Sequence, residues 1–198
     1  QNIEKGSLNG RYTSQDHFFG LNGFFPSVTY SGVKMDNISL SALTQQNRID
    51  IDATIDTVYY KDSMLTKAVA LRTEVERDSV NFRFNIEPDT SSHKLRMGGR
   101  LTTDLESVTV MLNNSSFTID NEQWLVNEQN RIFFEPGNLD VDSLKIFKDA
   151  QSLVLSTFKS AGDGNNIALK LNNLSLNELT GSVAMISGLK IGGLANGK

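Results

Sequence analysis

The stretch NRIDIDATID, residues 47–56, alternates with unbroken regularity: Ile49, Ile51, Ala53 and Ile55 are separated by Arg48, Asp50, Asp52 and Thr54. Successive side chains of an extended strand point to opposite sides, so a period of two builds one apolar and one polar face. SVNFRFNIEP repeats the scheme, with Val80, Phe82, Phe84 and Ile86 set against Asn81, Arg83 and Asn85. HKLRMGGRLTT contributes Leu95, Met97 and Leu101, and VTVML, FTI, QWLV, RIFF, NLDVDSL, SLVLSTF and NIALKL continue the pattern. The clusters PDTSS, LNNSS, EPGN and AGDGNN fall between these runs, at roughly the 8–12-residue spacing of a β-meander. Alternation with one wet face predicts an all-β chain built on an antiparallel sheet. DSLKIFKDAQSLVLSTFK mixes helical and strand spacing; it is expected to form two strands broken at Lys148–Asp149.

Two segments resemble each other. Residues 33–44 read VKMDNISLSALT and residues 169–180 read LKLNNLSLNELT, and the lysine, asparagine, serine, both leucines and the threonine coincide without a gap. An internal repeat so widely separated suggests a modular, elongated architecture. Each copy is expected to be a strand running into a short helical turn. In the second, Ser175 and Glu178 have the spacing of a capping box, and Leu176, Leu179 and Val183 follow at helical intervals. Gly181 should keep that helix short.

Composition narrows the chemistry. With 198 residues, 38% apolar side chains and a net charge of -4, the chain is an ordinary folded protein rather than a disordered one. Nineteen basic residues are scattered among 23 acidic ones, so there is no stripe to track phosphates and no nucleic-acid partner is expected. No apolar run approaches the ~20 residues of a membrane-spanning helix. The chain opens on QNIEKGSLNG and closes on GLKIGGLANGK, both of which read as cuts through a longer, repeat-containing β domain spanning residues 1–198. There are no cysteines, which removes disulfides, thiolate metal sites and cysteine nucleophiles together.

Reactive constellations are missing. His17 and His93 each stand alone, without the spacing of a metal site, and no G-x-S-x-G elbow exposes a serine. Asp50 with Asp52, and Asp140 with Asp142, fall on the solvent face of their strands, where solubilising charge is the simplest role. The glycine-rich GDGNN and GLKIGGLANG match no phosphate-binding loop. Trp124 is the only tryptophan and is expected to fill core space. No enzyme activity, metal or cofactor is therefore expected. The tripeptides at Asp56-Thr57-Val58, Asp62-Ser63-Met64, Asp78-Ser79-Val80 and Asp142-Ser143-Leu144 match an O-glycosylation acceptor pattern of exported proteins in one bacterial phylum. They make Thr57, Ser63, Ser79 and Ser143 candidate modification sites, although Asp-Ser is equally a natural turn before a strand.

Residues 117–156 follow the scheme F-x-I-x(4)-W-x-L/V-x(4)-R-I-x-F, a turn, NLDVDSLKI and QSLVLS. This order resembles the C-terminal region of TamB-like proteins in the wider AsmA-like group, and the repeated N-[IL]-S-L-x-x-L-T is similar to that family's strand–helix unit. The resemblance covers the chain from about residue 30 onward. It implies a segment of a periplasmic bridge, anchored in the inner membrane in the full-length protein, whose long sheet curls into an apolar trough, the β-taco. It further implies phospholipid as cargo, an outer-membrane barrel partner of the BamA/TamA type, and a role in lipid transport and outer-membrane protein assembly. The trough lining would comprise Ile49, Ile51, Val69, Leu71, Phe82, Phe84, Leu95, Met97, Val110, Phe117 and Phe134.

Two other classes fit the same residues. A β-edge scaffold or chaperone would template incoming barrel strands through an open sheet edge. A closed β-sandwich adhesin or carbohydrate-binding module would bury its apolar faces against each other and bind through loops.

Overall fold

The computed structural model describes residues 2–61, 63–87, 94–119, 121–159, 165–175 and 194–197. They form sixteen strands and no helix. The strands belong to one antiparallel sheet that is not closed into a barrel. Cα packing divides the chain into two units, Gln1–Arg96 and Met97–Lys198.

The first unit holds β1 (Asn2–Ile3), β2 (Ser7–Thr13), β3 (Phe18–Tyr30), β4 (Val33–Gln45), β5 (Arg48–Tyr60), β6 (Ser63–Glu76) and β7 (Ser79–Ile86). β3 to β7 are a meander in sequence order, and β1 and β2 both pair with β3. Two-residue turns set the registers. Ser31 and Gly32 both take positive φ (48° and 82°), as a type I′ turn requires, and Tyr30 faces Val33 across it. Gln46 and Arg77 take left-handed φ at the next tight turns on the opposite side.

The long strands of this unit are interrupted at one level. Asn37 in β4 and Ala68 in β6 have φ of 52° and 50° in mid-strand. The registers step from Ser27↔Asp36 to Phe25↔Ile38, and from Thr57↔Lys67 to Ile55↔Val69, leaving Pro26, Asn37, Asp56 and Ala68 in a row. Left-handed residues inside a strand bend it and break the ladder for a step. Proline has no N–H to lose there, the Asn37 side-chain amide donates to Asp56 Oδ2 (3.1 Å), and the Glu87 N–H reaches the Ala68 carbonyl (3.3 Å).

β8 (Lys94–Asp104) begins at the end of the first unit and runs on into the second. The second unit continues with β9 (Ser107–Ile119), β10 (Glu122–Val126), β11 (Arg131–Glu135), β12 (Asn138–Asp142), β13 (Leu144–Lys148), β14 (Gln151–Lys159), β15 (Asn165–Ser175) and β16 (Leu194–Gly197). β9 is covered along its length by two short strands in turn, β10 against Ser116–Ile119 and β11 against Val108–Val110. β12 and β13 repeat the division, parted by Ser143 with φ 54°. Side-chain amides carry the ladder over the gap. Asn130 accepts from the Leu112 N–H and donates to the Leu112 carbonyl, both at 2.8 Å. Asn127 accepts from the Lys145 N–H (2.7 Å) and donates to the Ser143 carbonyl (2.8 Å). Trp124 (5% exposed), Val141 (3%) and Leu174 (1%) are the buried apolar side chains here among the described residues.

The first copy of the repeat does not form the strand–helix unit expected. Residues 33–44 are strand throughout, within β4. Leu40 and Leu43 have the spacing of one helical turn, but three residues along a strand is an odd number of steps. Leu40 faces Ala53, whereas Leu43 faces Asp50 on the other side and is 40% exposed. What the copies share is a kink: the common asparagine is left-handed in both, Asn37 at φ 52° and Asn173 at 49°. The helix expected after Ser175 lies outside the described residues. The break at Lys148–Asp149 falls where the spacing placed it, between β13 and β14.

Candidate functional site

Six of the eleven candidate lining residues share one face of the first unit. Ile51 pairs with Thr73, which pairs with Phe82. The next rungs are Ala53, Leu71 and Phe84, then Ile55, Val69 and Ile86, while Ile49 faces Val75, which faces Val80. Directly opposed residues of an antiparallel pair point the same way, so Ile49, Ile51, Val69, Leu71, Phe82 and Phe84 form one surface.

The surface continues across β4 and β3 through Ile38, Leu40 and Ala42 onto Phe25, Gly23 and Leu21, and onto β2 through Leu8 and Gly10. The strip between Ile49 and Ile55 and across β3–β7 measures about 20 by 19 Å, at ~3.3 Å per residue and ~4.8 Å per strand. That is near 400 Å², the size at which exposed apolar patches on a monomer are often functional. Ala42 is the one buried apolar side chain among the described residues of this unit. The six named residues are only half-buried. Among the described residues of the unit, its strands pack only on their neighbours in the sheet, and no second layer lies over this face.

The reverse face is mostly polar, with Phe24 and Leu43 as exposed apolar side chains on it. Arg48 contacts Asp50 at 2.8 Å and Arg72 contacts Asp52 at 3.0 Å; Asp52 is exposed as expected, whereas Asp50 is half-buried with its Oδ1 against the Arg48 guanidinium. An open depression of about 290 Å³ around Phe24 is lined by Ser39, Ser41, Thr54 and Asp52. Its polar lining consists of hydroxyls, the amides of Asn9 and Asn22, and the Asp52 carboxylate that is ion-paired with Arg72. Beyond the kink, Lys34 and Asp36 form an exposed ion pair at 3.0 Å. The Lys34 ammonium, followed by the Ser27 hydroxyl, lowers the Asp36 carboxyl below its ordinary range, and Asp36 in turn raises Lys34. Arg96 likewise lowers Glu87. These are exposed surface pairs whose partners explain the shifts.

The remaining candidates lie elsewhere. Leu95 is half-buried in β8. Met97, Val110, Phe117 and Phe134 belong to the second unit. There Phe117 stacks flat on Trp124 (centroids 6.1 Å, planes 1° apart), which gives the tryptophan the space-filling role expected of it. Val110 faces Ile132, and Phe134 faces Val108 and is 53% exposed. Sequence reading missed the β3 contribution, Leu21 and Phe25. The glycines and doubled phenylalanines of FFGLNGFFP obscure its period; read by odd positions alone, Phe19, Leu21, Gly23 and Phe25 keep it.

Of the candidate modification sites, Ser63 and Ser143 are exposed, Thr57 and Ser79 half-buried. Ser79 Oγ donates to the Glu76 carbonyl (3.0 Å) and Ser143 occupies the β12–β13 kink, so both have a local structural task. His17 sits exposed at a turn with φ 49°, and His93 lies outside the described residues. Among the described residues no group of three or more His, Asp or Glu side chains is placed to hold a metal ion, and no helix is long and apolar enough to cross a membrane. Comparison with protein-family models, with curated proteins and with solved structures gave no match.

Proposed function

We propose that the apolar face of β3–β7 shelters the acyl chains of phospholipid, as one segment of a TamB-like periplasmic bridge between the inner and outer membranes. The observation that carries the reading is the half-buried state of Ile51, Leu71, Phe82 and Phe84 on a face over which the described residues of the first unit place no second layer. A lipid tail is suited to such a surface because it needs area and no directional contact. Transfer of a palmitoyl tail from water is worth roughly 12 kcal/mol at ~0.8 kcal/mol per methylene, and a tail lying on an open face gains about half of that. Similar side chains from rung to rung keep the energy nearly level along the face, so sliding costs little while desorption costs much. The reverse face at β6 and β7, where Arg72 and Arg83 are opposed, offers charge in place of apolar area.

The test is photo-crosslinking of the periplasmic protein in a Gram-negative host, with a photoreactive residue at position 84 and, separately, at position 83. Phospholipid captured at 84 and not at 83 supports the reading. A folded protein that captures no lipid at either position sinks it, and capture of a polypeptide at 84 would favour the scaffold class.

A further inference from the structure

We propose that a phospholipid on the apolar face lies with its phosphate headgroup beside Tyr30, Tyr60 and Lys61, where the β3–β4 and β5–β6 turns end the first unit, and with its tail running across the kink toward Phe84. The inference rests on the lipid reading and adds an orientation to it. Its first support is what the left-handed residues do to the apolar period. Val33 and Met35 precede Asn37, and Ile38, Leu40 and Ala42 follow it. Met35 and Ile38 are three residues apart, which would put them on opposite sides of an unbroken strand. Val141 and Leu144 stand in the same way around Ser143, and Leu171 and Leu174 around Asn173. In β4 two successive side chains, Asp36 and Asn37, turn to the polar side, as at a bulge, and the apolar series resumes on its former side. Pairing carries the slip into β3 and β5, because Met35 faces Val28 and Val58 as Ile38 faces Phe25 and Ile55. The polar side beyond the kink holds Asp36, bonded to the Ser27 hydroxyl and ion-paired with Lys34. The apolar face therefore continues past the kink through half-buried Val28, Met35 and Val58.

What the face meets at its end sets the orientation. Two residues beyond Met35, Val33 stands between Tyr30 and Tyr60, which are 59% and 43% exposed. Lys61 follows at the turn. Its N–H donates to the Gly32 carbonyl (3.0 Å), and its Nζ lies 5.1 Å from the centre of the Tyr60 ring. The Tyr60 ring and the Lys61 stem both lie beside Gly32, so the two turns are tied together. Aliphatic side chains thus give way to phenols and then to an ammonium, the order met on leaving the hydrocarbon of a bilayer for its phosphates. At the opposite end β4–β7 finish in Thr44, Ile49, Val75 and Val80, and the tyrosine there, Tyr12, stands on β2 against Phe19. From Tyr60 to the Ala53–Leu71–Phe84 rung is seven residues, about 23 Å at ~3.3 Å each. A tail spans about 15 Å as half of a bilayer core and more when extended. One that starts beside Tyr60 therefore lies over Val58 and Ile55 and ends near Phe84.

The test uses the purified chain with phosphatidylcholine vesicles doped with phosphatidylglycerol that carries a diazirine, either beside the ester carbonyl or at the last carbons of the tail. After irradiation the adducts are mapped by mass spectrometry. The carbonyl-end probe should label Val58 and Tyr60, and the tail-end probe Leu71 and Phe84. Lys61→Glu should lower labelling at Val58 at least about fivefold, and Lys61→Arg should preserve it. Labelling by diacylglycerol with the same diazirine, which has no phosphate, should not respond to Lys61→Glu. Four results would overturn the orientation while leaving the lipid reading in place: the two probes labelling in the reverse order, both labelling every rung equally, Thr57 labelled as strongly as Val58, or a folded Lys61→Glu variant labelled like the unmodified chain. No adduct with either probe would overturn the lipid reading and the orientation with it.

Discussion

Replacing Asn130 by alanine should unfold the second unit at markedly lower denaturant. The side chain is 4% exposed and lies between β10 and β11, where β9 would otherwise lose its partner. It satisfies the Leu112 N–H and carbonyl at 2.8 Å each and also donates to the Asn127 carbonyl. Alanine removes all three bonds and leaves backbone groups with no replacement in the chain. Each orphaned buried group costs about 1–3 kcal/mol. Leu112 is itself half-buried, and a water can enter the vacated amide volume, so about 3 kcal/mol is expected in total rather than the sum of the maxima. With a urea slope near 2 kcal/mol per molar, the midpoint should fall by about 1.5 M. Trp124 is the only tryptophan and is buried in the same unit, so its fluorescence reports this transition. Asn130→Asp separates hydrogen bonding from shape. An ionised carboxylate would aim oxygen at two carbonyls without a counter-charge, so burial would raise its folded-state pKa above the unfolded one. The variant should then be most stable below the ordinary carboxylate range and lose stability as pH rises through the raised value. A midpoint shift below about 0.3 M for Asn130→Ala, roughly 0.5 kcal/mol, would show that the amide does not carry the ladder.

Two other perturbations probe the first unit. Asn37→Gly keeps the left-handed backbone within reach, whereas Asn37→Val forces a β-branched residue into it; valine should be the less stable by about 1–2 kcal/mol, or several degrees in thermal midpoint, and equal melting would mean that the kink is not set at this residue. The Lys34–Asp36 pair should make a small pH-dependent contribution, because both side chains are exposed. The lowered Asp36 carboxyl stabilises above its ordinary value of 3.8 and loses this as pH falls through its folded value; the raised Lys34 stabilises below its ordinary 10.5 and loses this as pH rises through its own. The stability difference from Asp36→Asn should therefore be present at neutral pH and vanish at both extremes, and a difference that persists in acid would contradict the assignment.

Strand content was legible because β5 and β7 alternate without interruption, and a period of two has one structural meaning. That Ile49, Ile51, Val69, Leu71, Phe82 and Phe84 share one face was legible for the same reason. The repeat was harder. N-[IL]-S-L-x-x-L carries leucines three apart, the local signature of a helix, and nothing within the segment says otherwise. The decision is made by its neighbours, since every residue of β4 from Val33 to Gln45 except Asn37 has an opposed partner on β5. Satisfying two full ladders outweighs a weak local preference. The surrogate amides Asn127 and Asn130 were equally hidden, because asparagine in a loop is commonplace and their role depends on strands distant in sequence.

The kinks also bear on what could cover the apolar face. A long flat sheet with one greasy side is an aggregation hazard, because any similar sheet can stack on it. Asn37, Ala68 and the row they share with Pro26 and Asp56 interrupt the face of the first unit at a fixed level, and Asn114 and Ser143 interrupt strands of the second in the same left-handed way. A stacking partner must match the bend as well as the chemistry, whereas a flexible acyl chain follows it at little cost. The recurrence of asparagine in both repeat copies, Asn37 and Asn173, is then a backbone requirement, met by a non-glycine residue that tolerates positive φ while keeping a side chain to bridge the broken rung. Covering such a face with protein needs a surface bent to match, and covering it with lipid does not.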